Sequence, residues 1–416
     1  MTPKRDVRLA LAGCGVVGGG LVRLLHDARD EIASRFDVNF SVASVLVRNP
    51  ARERHVPVPG SLFTSDLDAF LKTDADVVVE AIGGEEPAET IAAAALRSGR
   101  KFVTANKELI AGAGDRLCHL ARETGTSLDF GAAVGASAPV ISTLRDLLGA
   151  SPPRSVRGIL NGTSNFVITE LERGVDLDRA LTAARDRGLA EADCSRDLDG
   201  RDAEAKLAIS AWIAFGIAPS ALRIRRTSLL PGLPDLTRAA LGLGGRLRLL
   251  AECAQIDANG VVASVEPTVV GAASGFARTL GEENRIEIDQ GWTAPLTVSG
   301  PGAGAEPTAS ALLSDLLRTS PPPNARGGEG RTFIAATDAR AHRWLLLTRH
   351  GSGLVQRAVA HGVTIERSWA DANGVGALTS RVEWSRVETL IESLRTSKEN
   401  VAVARVELSA AEVQVQ

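Results

Sequence analysis

The chain has 416 residues, 47 Lys+Arg against 50 Asp+Glu, a net charge of −3, and 44% hydrophobic residues. That length exceeds one ordinary core and predicts two or three domains of a soluble globular protein. The near-balanced charge argues against a nucleic-acid or membrane partner, and no apolar run is long enough to span a bilayer. The N-terminus runs from two basic residues straight into a strand and a glycine loop, without a signal-peptide pattern, so a cytoplasmic location is expected. There is no tyrosine, and His26, His55, His119, His342, His350 and His361 all lie outside the segments with catalytic patterning. A Tyr-Lys proton relay is excluded, and histidine-based chemistry has no support. Cys14, Cys118, Cys194 and Cys253 are scattered without metal spacing and read as free thiols.

Residues 7–12 form an apolar strand, followed by Gly13-Cys14-Gly15-Val16-Val17-Gly18, an amphipathic helix from about Gly19 to Phe36, and a strand over about 39–47. This strand, G-x-G-x-x-G, helix, strand order is the context of a dinucleotide site. Gly13 permits the tight turn, Gly15 lets the backbone approach a pyrophosphate, and Gly18 lets the helix pack closely on the strand. Val16 and Val17 lie in this loop, just ahead of the helix whose N-terminus attracts the anion. NAD-preferring folds end the second strand with an acid, whereas Arg48 stands here with Arg52 and Arg54 behind it. Arginine suits a 2′-phosphate, which tilts the expectation toward NADP over NAD.

The alternation continues with a strand over 74–83 ending at Gly83, a helix over 87–99, a strand over 101–107 running into Asn106 and Lys107, a helix over 114–125 and a strand over 127–135. Ligands bind beyond the carboxyl ends of such strands, which places Gly83, Asn106 and Lys107 near a cofactor. Residues 154–174 read as a strand, a polar turn Asn161–Asn165 and a helix. Several strands then make an α+β domain with a mixed sheet. A glycine loop at 300–304, with Gly302, enters a helix with Pro307 near its first turn. Residues 321–338 have linker composition, and 339–416 follow a βαββαβ order, a ferredoxin-like unit. The expected division is thus 1–140 (completed by the 300–320 loop and helix), 141–299, the linker, and 339–416.

The acid-rich segment 191–210 is the most informative stretch. It places Lys206 inside an apolar helical run, with Asp202 four residues earlier on the same helix face. A buried ammonium is costly unless paired. Lysine is scarce here, at positions 4, 72, 101, 107, 206 and 398 only. Arginine stays charged, whereas a desolvated lysine can exchange a proton. Helix pairing alone would make Lys206–Asp202 a structural ion pair. With tyrosine absent and histidine misplaced, lysine becomes the candidate general base.

The pieces GCGVVG, TANKELIA, GILNGTSNF, EADCSRDLDGRDAEAKLAI and GPGAGAEPTASA occur in this order over about residues 5–320. Together they resemble the homoserine dehydrogenase family, and the tail resembles an ACT domain. The resemblance implies an N-terminal Rossmann-type domain, an α+β substrate and dimerisation domain and a C-terminal ACT-like domain. It implies NAD(P)-dependent interconversion of L-homoserine and L-aspartate 4-semialdehyde by a homo-oligomer, a dimer or larger. In it Lys206, Lys107 and Asp202 are catalytic. Glu191, Asp197, Asp202, Thr163 and Gly162 contact substrate, and Gly302 lies by the cofactor. Three departures stand out. The carbonyls of Val134, Ala136 and Ala138 are the candidate sodium ligands, but Gly131 stands where the family often has a cation-binding glutamate. Cys194 replaces a proline and reads as a small buried filler. Residues 348–353 lack the D-x-P-G of an effector loop, which counts against an amino-acid effector at the tail. Two alternatives remain at this point: a paralogue acting on a related γ-hydroxy amino acid, and a non-catalytic dinucleotide and amino-acid sensor.

Overall fold

The computed structural model describes residues 5–147, 153–190, 193–230, 232–318, 332–349, 353–396, 399–409 and 412–413. By contacts the chain divides into two compact units. One comprises Met1–Pro153, Ala208–Ala221 and Gly300–Thr332, the other Arg154–Leu207, Leu222–Ser299 and Phe333–Gln416.

The first unit is built on β1 (Arg5–Ala12), β2 (Val38–Leu46), β3 (Phe63–Thr64), β4 (Val77–Glu80), β5 (Lys101–Thr104) and β6 (Leu128–Asp129). All pairs are parallel and the order is β3-β2-β1-β4-β5-β6. This is the Rossmann order, and it reverses direction beside β1, where such sheets bind ligands. A parallel sheet covered on both faces needs strands that are apolar throughout. β4 meets that requirement over its three valines, and all four of its residues are buried, with Glu80 at its carboxyl end. Leu9, Leu11, Val45, Val79 and Val103 form a core with Leu21 and Val22 of the helix Val16–Asp27 and with Ala309, Leu312 and Leu316 of the helix Ala305–Leu317. Each buried leucine or valine among them contributes about 1.5–3 kcal/mol by leaving water.

Several local expectations change. The single helix expected from Gly19 to Phe36 is two, Val16–Asp27 and Arg29–Phe36, separated at Ala28. The glycine loop itself forms the first helical turn. The helix expected from 114 begins at Lys107, because the Asn106 carboxamide caps it by accepting from Leu109 N at 3.1 Å. The strand expected over 127–135 ends at Asp129. The Ala132 N–H is given to the Asp315 carboxylate at 3.1 Å, and residues 131–133 turn tightly.

The second unit carries β7 (Ser155–Ile159), β8 (Ile224–Arg226), β9 (Gly245–Gln255), β10 (Gly260–Gly271), β11 (Glu283–Asp289), β12 (Leu296–Pro301), β13 (Ile334–Ala335), β14 (Ala341–Thr348), β15 (Ile365–Asp371), β16 (Gly374–Thr379), β17 (Val382–Glu383) and β18 (Val401–Val406). They make one mixed sheet, with main path β12-β11-β7-β9-β10-β18-β14-β16-β15. β10 is antiparallel to β9 but parallel to β8, β13 and β18. The last four strands on that path, with the helices Leu354–Ala360 and Trp384–Thr396, form the βαββαβ unit in the antiparallel order β18-β14-β16-β15. Trp344, Leu346, Val387, Leu390 and Leu394 fill its core.

This tail joins the middle sheet directly, through β18 on β10 at Thr268↔Arg405 and Val269↔Val406. At the seam the buried Arg405 guanidinium reaches Glu252 at 2.6 Å, Glu266 at 3.0 Å and Glu407 at 2.8 Å. Arg340 and Arg225 extend the network to Asp338. Of the expected linker, residues 321–331 lie outside the described residues, and Ile334–Ala335 adds β13 beside β10.

Candidate active site

In the first unit the glycine loop leaves β1 at the switch point. Gly13 has φ +96°, and a Cβ there would lie 2.6 Å from the Ala81 carbonyl oxygen. A Cβ on Gly18 would fall onto the Gly13 carbonyl oxygen. Both positions therefore need glycine for the protein's own packing. Gly15 differs, because a Cβ there would meet no protein atom within 4 Å. Steric need at Gly15 comes from outside the protein, which fits the close approach of a pyrophosphate. Gly15 caps the helix Val16–Asp27 with no side-chain partner and no acid in the first turn, an end whose amides and dipole suit an anion. Val16 is 71% exposed beside them, whereas Val17 packs against the core.

At the end of β4 the buried Glu80 organises the next turn. One carboxylate oxygen accepts from Ile82 N at 2.7 Å and Gly83 N at 3.0 Å, and the other from Thr104 Oγ1 at 2.5 Å. Thr104 in turn accepts from Asn106 N, and Asn106 Nδ2 donates to the Gly84 carbonyl at 2.6 Å. Gly83 is left-handed in this turn, at φ +82°. Lys107 is the first residue of its helix rather than a strand end, and it pairs with Glu108 at 3.4 Å. Arg48 is exposed beyond β2, while Arg54 folds back onto its own loop through the Arg52 and Asn49 carbonyls. Gly302 is buried ahead of the helix Ala305–Leu317.

The candidate sodium ligands occupy the 131–138 turn. Ala136 sits at φ +48°, and the Ala138 carbonyl accepts from Val140 N at 2.7 Å. A Cβ on Gly131 would lie 2.7 Å from the Asp315 carboxylate, so Asp315 takes the space that a side chain at 131 would need. Burial, reinforced by the nearby Asp129 carboxylate, pushes the Asp315 carboxyl up to about 6. Among the described residues, no group of three or more His, Cys, Asp or Glu is arranged to hold a metal ion.

In the second unit the first half of the helix Arg201–Phe215 carries Lys206, and the helix Gly162–Glu172 starts at what was expected to be a polar turn. Gly162 is required there, since a Cβ would lie 2.7 Å from the Glu282 carbonyl oxygen. Lys206 Nζ lies 2.8 Å from Asp202 Oδ2 and donates to the Leu160 carbonyl at 2.9 Å. Both side chains are nearly buried. The Asn161 side chain joins Asp202 to Asp197, donating at 2.8 and 2.7 Å. Lys206, Asp202 and Asp197 are thus one constellation. Thr163 stands beside it at the same helix start, with its hydroxyl donated to the Leu189 carbonyl at 2.7 Å. Glu191 lies outside the described residues. Cys194 is buried, and all four cysteines are free thiols.

Sequence reasoning missed Glu80, Asn161 and Asp315. Glu80 carried a signal, an acid closing an apolar strand before two glycines. Asn161 stood inside a motif but read as a turn residue. Asp315 looked like an ordinary polar helix position.

A Rossmann sheet with an open glycine-loop helix end defines the first unit as a dinucleotide-binding domain. Two family profiles match the chain: "Homoserine dehydrogenase" over residues 139–317, and "Homoserine dehydrogenase, NAD binding domain" over residues 13–130. The homoserine dehydrogenase of Mycobacterium leprae (strain TN) is 35% identical over 320 residues, 76% of this chain and 72% of that one. That of Bacillus subtilis (strain 168) is 32% identical over 318 residues, 75% and 72% of the two chains. The crystal structure of a homoserine dehydrogenase from Thiobacillus denitrificans superposes with a TM-score of 0.84 at 29% identity, covering 97% of this chain and 98% of that one. The chain belongs to the homoserine dehydrogenase family, whose reaction is oxidoreduction at a CH–OH group.

Proposed function

We propose that the chain interconverts L-homoserine and L-aspartate 4-semialdehyde, with Lys206 taking the hydroxyl proton in oxidation and returning it in reduction. The observation that carries this reading is the nearly buried Lys206 ammonium held between Asp202 Oδ2 and the Leu160 carbonyl. The chain lacks tyrosine, and lysine is a side chain that can cycle a proton where arginine cannot. A bound nicotinamide supplies the hydride acceptor. Asp202 keeps Lys206 in place and balances its charge, while Asp197 and Glu191 supply carboxylates suited to the substrate's ammonium. The Thr163 hydroxyl oxygen and the Gly162 backbone sit at the same helix start and suit further substrate contacts. Lys107, at a helix head beside Asn106, suits an anionic group.

The cofactor reading is NADP before NAD, and it rests on Arg48 standing exposed where an acid would bind the ribose. A sodium ion at Val134, Ala136 and Ala138 fits less well, because the Ala138 carbonyl already accepts from Val140 and position 131 offers no carboxylate. No step is assigned to it. The reading includes a cytoplasmic homo-oligomer with an ACT-like tail, on the family's pattern.

The test follows reduced-nicotinamide absorbance with L-homoserine and either NADP or NAD. Lys206→Ala is expected to lose at least about a hundredfold in kcat, and Lys206→Arg to lose as much, with dinucleotide affinity unchanged. Wild-type protein that binds dinucleotide but turns over neither homoserine nor the semialdehyde would overturn the substrate assignment. Substantial activity in Lys206→Arg would reduce Lys206 to an electrostatic role. Related γ-hydroxy amino acids in the same assay test the paralogue reading.

A further inference from the structure

We propose that Asn161 is a positioning residue for proton transfer: its amide orients the Asp202 carboxylate that holds Lys206 and ties it to Asp197. The proposal rests on the reading of Lys206 as the proton-transfer group.

Asn161 is 4% exposed, and both ends of its carboxamide are used. Its oxygen accepts from Ser164 N at 2.7 Å and caps the helix Gly162–Glu172. Its nitrogen donates to Asp197 Oδ1 at 2.7 Å and to Asp202 Oδ2 at 2.8 Å. The flipped amide would point its oxygen at two carboxylates and its nitrogen at a donor, so the network itself sets the orientation. Asp202 Oδ2 is also the atom that lies 2.8 Å from Lys206 Nζ. The second acceptor of Lys206, the Leu160 carbonyl, belongs to the residue next to Asn161. Residues 160 and 161 therefore supply one of the groups that hold the ammonium and orient another.

Capping alone does not explain asparagine here. Serine and aspartate cap a helix as well, through an oxygen. Serine has no second arm to reach the carboxylates. Aspartate has the shape but no donor, and it would add a third negative charge. A neutral side chain that accepts at one end and donates two hydrogens at the other is required, and asparagine is the one short enough. By donating to both carboxylates, Asn161 gives each a hydrogen bond that an anionic or donor-free side chain could not supply.

The experiment compares Asn161→Ser and Asn161→Asp with wild type, since both keep a capping oxygen. It measures kcat and KM for homoserine oxidation across pH, dinucleotide affinity, and the melting temperature. In Asn161→Asp, kcat at neutral pH is expected to fall at least about tenfold. Its rise with pH should move upward by about one pH unit, because extra negative charge holds the proton on Lys206 more tightly. Activity should then recover as pH is raised, which damage to the fold would not allow. Asn161→Ser should lose about tenfold in kcat, with dinucleotide affinity unchanged. Wild-type kcat and pH profile in both variants, with only a lower melting temperature, would make Asn161 a helix cap and overturn the proposal. If Asn161→Asp does not fold, the neutral serine variant decides the same question through kcat. Lys206→Ala separates the two levels: activity retained there sinks the reading of Lys206, whereas an inactive Lys206→Ala beside wild-type Asn161 variants sinks only the present proposal.

Discussion

Replacing Asp315 by asparagine should remove a pH dependence of stability that this one carboxyl imposes. Asp315 is 3% exposed and sits against Gly131, with Ala132 N–H donating to it at 3.1 Å. Burial, the nearby Asp129 carboxylate and only partial compensation by Ala132, Arg145 and Arg318 hold it at about 6, against an ordinary 3.8. A carboxyl raised in the folded state binds its proton more tightly there than in the unfolded chain. Between about pH 4 and 6 the folded state therefore carries more protons, and stability falls as pH rises through that window. The full difference corresponds to about 3 kcal/mol. Asparagine keeps the shape and the acceptor for Ala132 but has no charge to bury. The free energy of urea unfolding of Asp315→Asn, relative to wild type, should thus improve by about 2.5 kcal/mol between pH 4 and pH 8, the rest of the difference lying below pH 4. A difference that stays constant across that range, or that moves the other way, would show that Asp315 is ionised at no cost and refute the account of its surroundings.

Two further outcomes follow from close packing and from the buried seam. Gly15→Ala should fold with wild-type stability, since its Cβ meets no protein atom within 4 Å, but weaken NADPH binding at least about tenfold in a fluorescence titration. Unchanged affinity would mean that no pyrophosphate approaches this loop. Arg405→Ala removes the guanidinium shared by Glu252, Glu266 and Glu407. Burial alone would raise the Glu252 carboxyl, yet Arg405, Arg157 and Arg340 hold it far below the usual carboxylate range. The variant should lose about 3–5 kcal/mol in urea unfolding, because two acids stay buried with their shared partner gone. A loss under about 1 kcal/mol would show that water or the remaining arginines replace it.

Local patterns carried much of the dinucleotide fold. The G-x-G-x-x-G turn, the strand β4 and the Lys206 helix all depend on spacings of a few residues, and each formed within its pattern, although the strand expected over 74–83 is only Val77–Glu80 and the helix expected from Gly19 starts at Val16. Boundaries failed where a partner distant in sequence intervened. β6 stops at Asp129 because Asp315, far along the chain, takes the Ala132 N–H. The Asn161–Asn165 segment is a helix start because Asn161 caps it while bridging to Asp197 and Asp202. Pairing of β18 with β10 was equally hidden, since a strand's sequence shows only an alternation of side chains and not its neighbour.

The amino-acid sequence by itself determined the fold class, the glycine loop, and the pairing of Lys206 with Asp202, because backbone propensity and i,i+4 geometry act within one turn or one strand. Only the tertiary structure decided which groups close around that lysine. The Leu160 carbonyl accepts from it directly, and the Asn161 amide ties its partner Asp202 to Asp197, from segments that meet when the second unit packs its helices on the sheet. The same holds for Asp315 against Gly131 and for the arginine–glutamate seam at β18. A buried charge takes its partner from whatever the fold brings within hydrogen-bonding distance, and that distance is set by packing rather than by position along the chain.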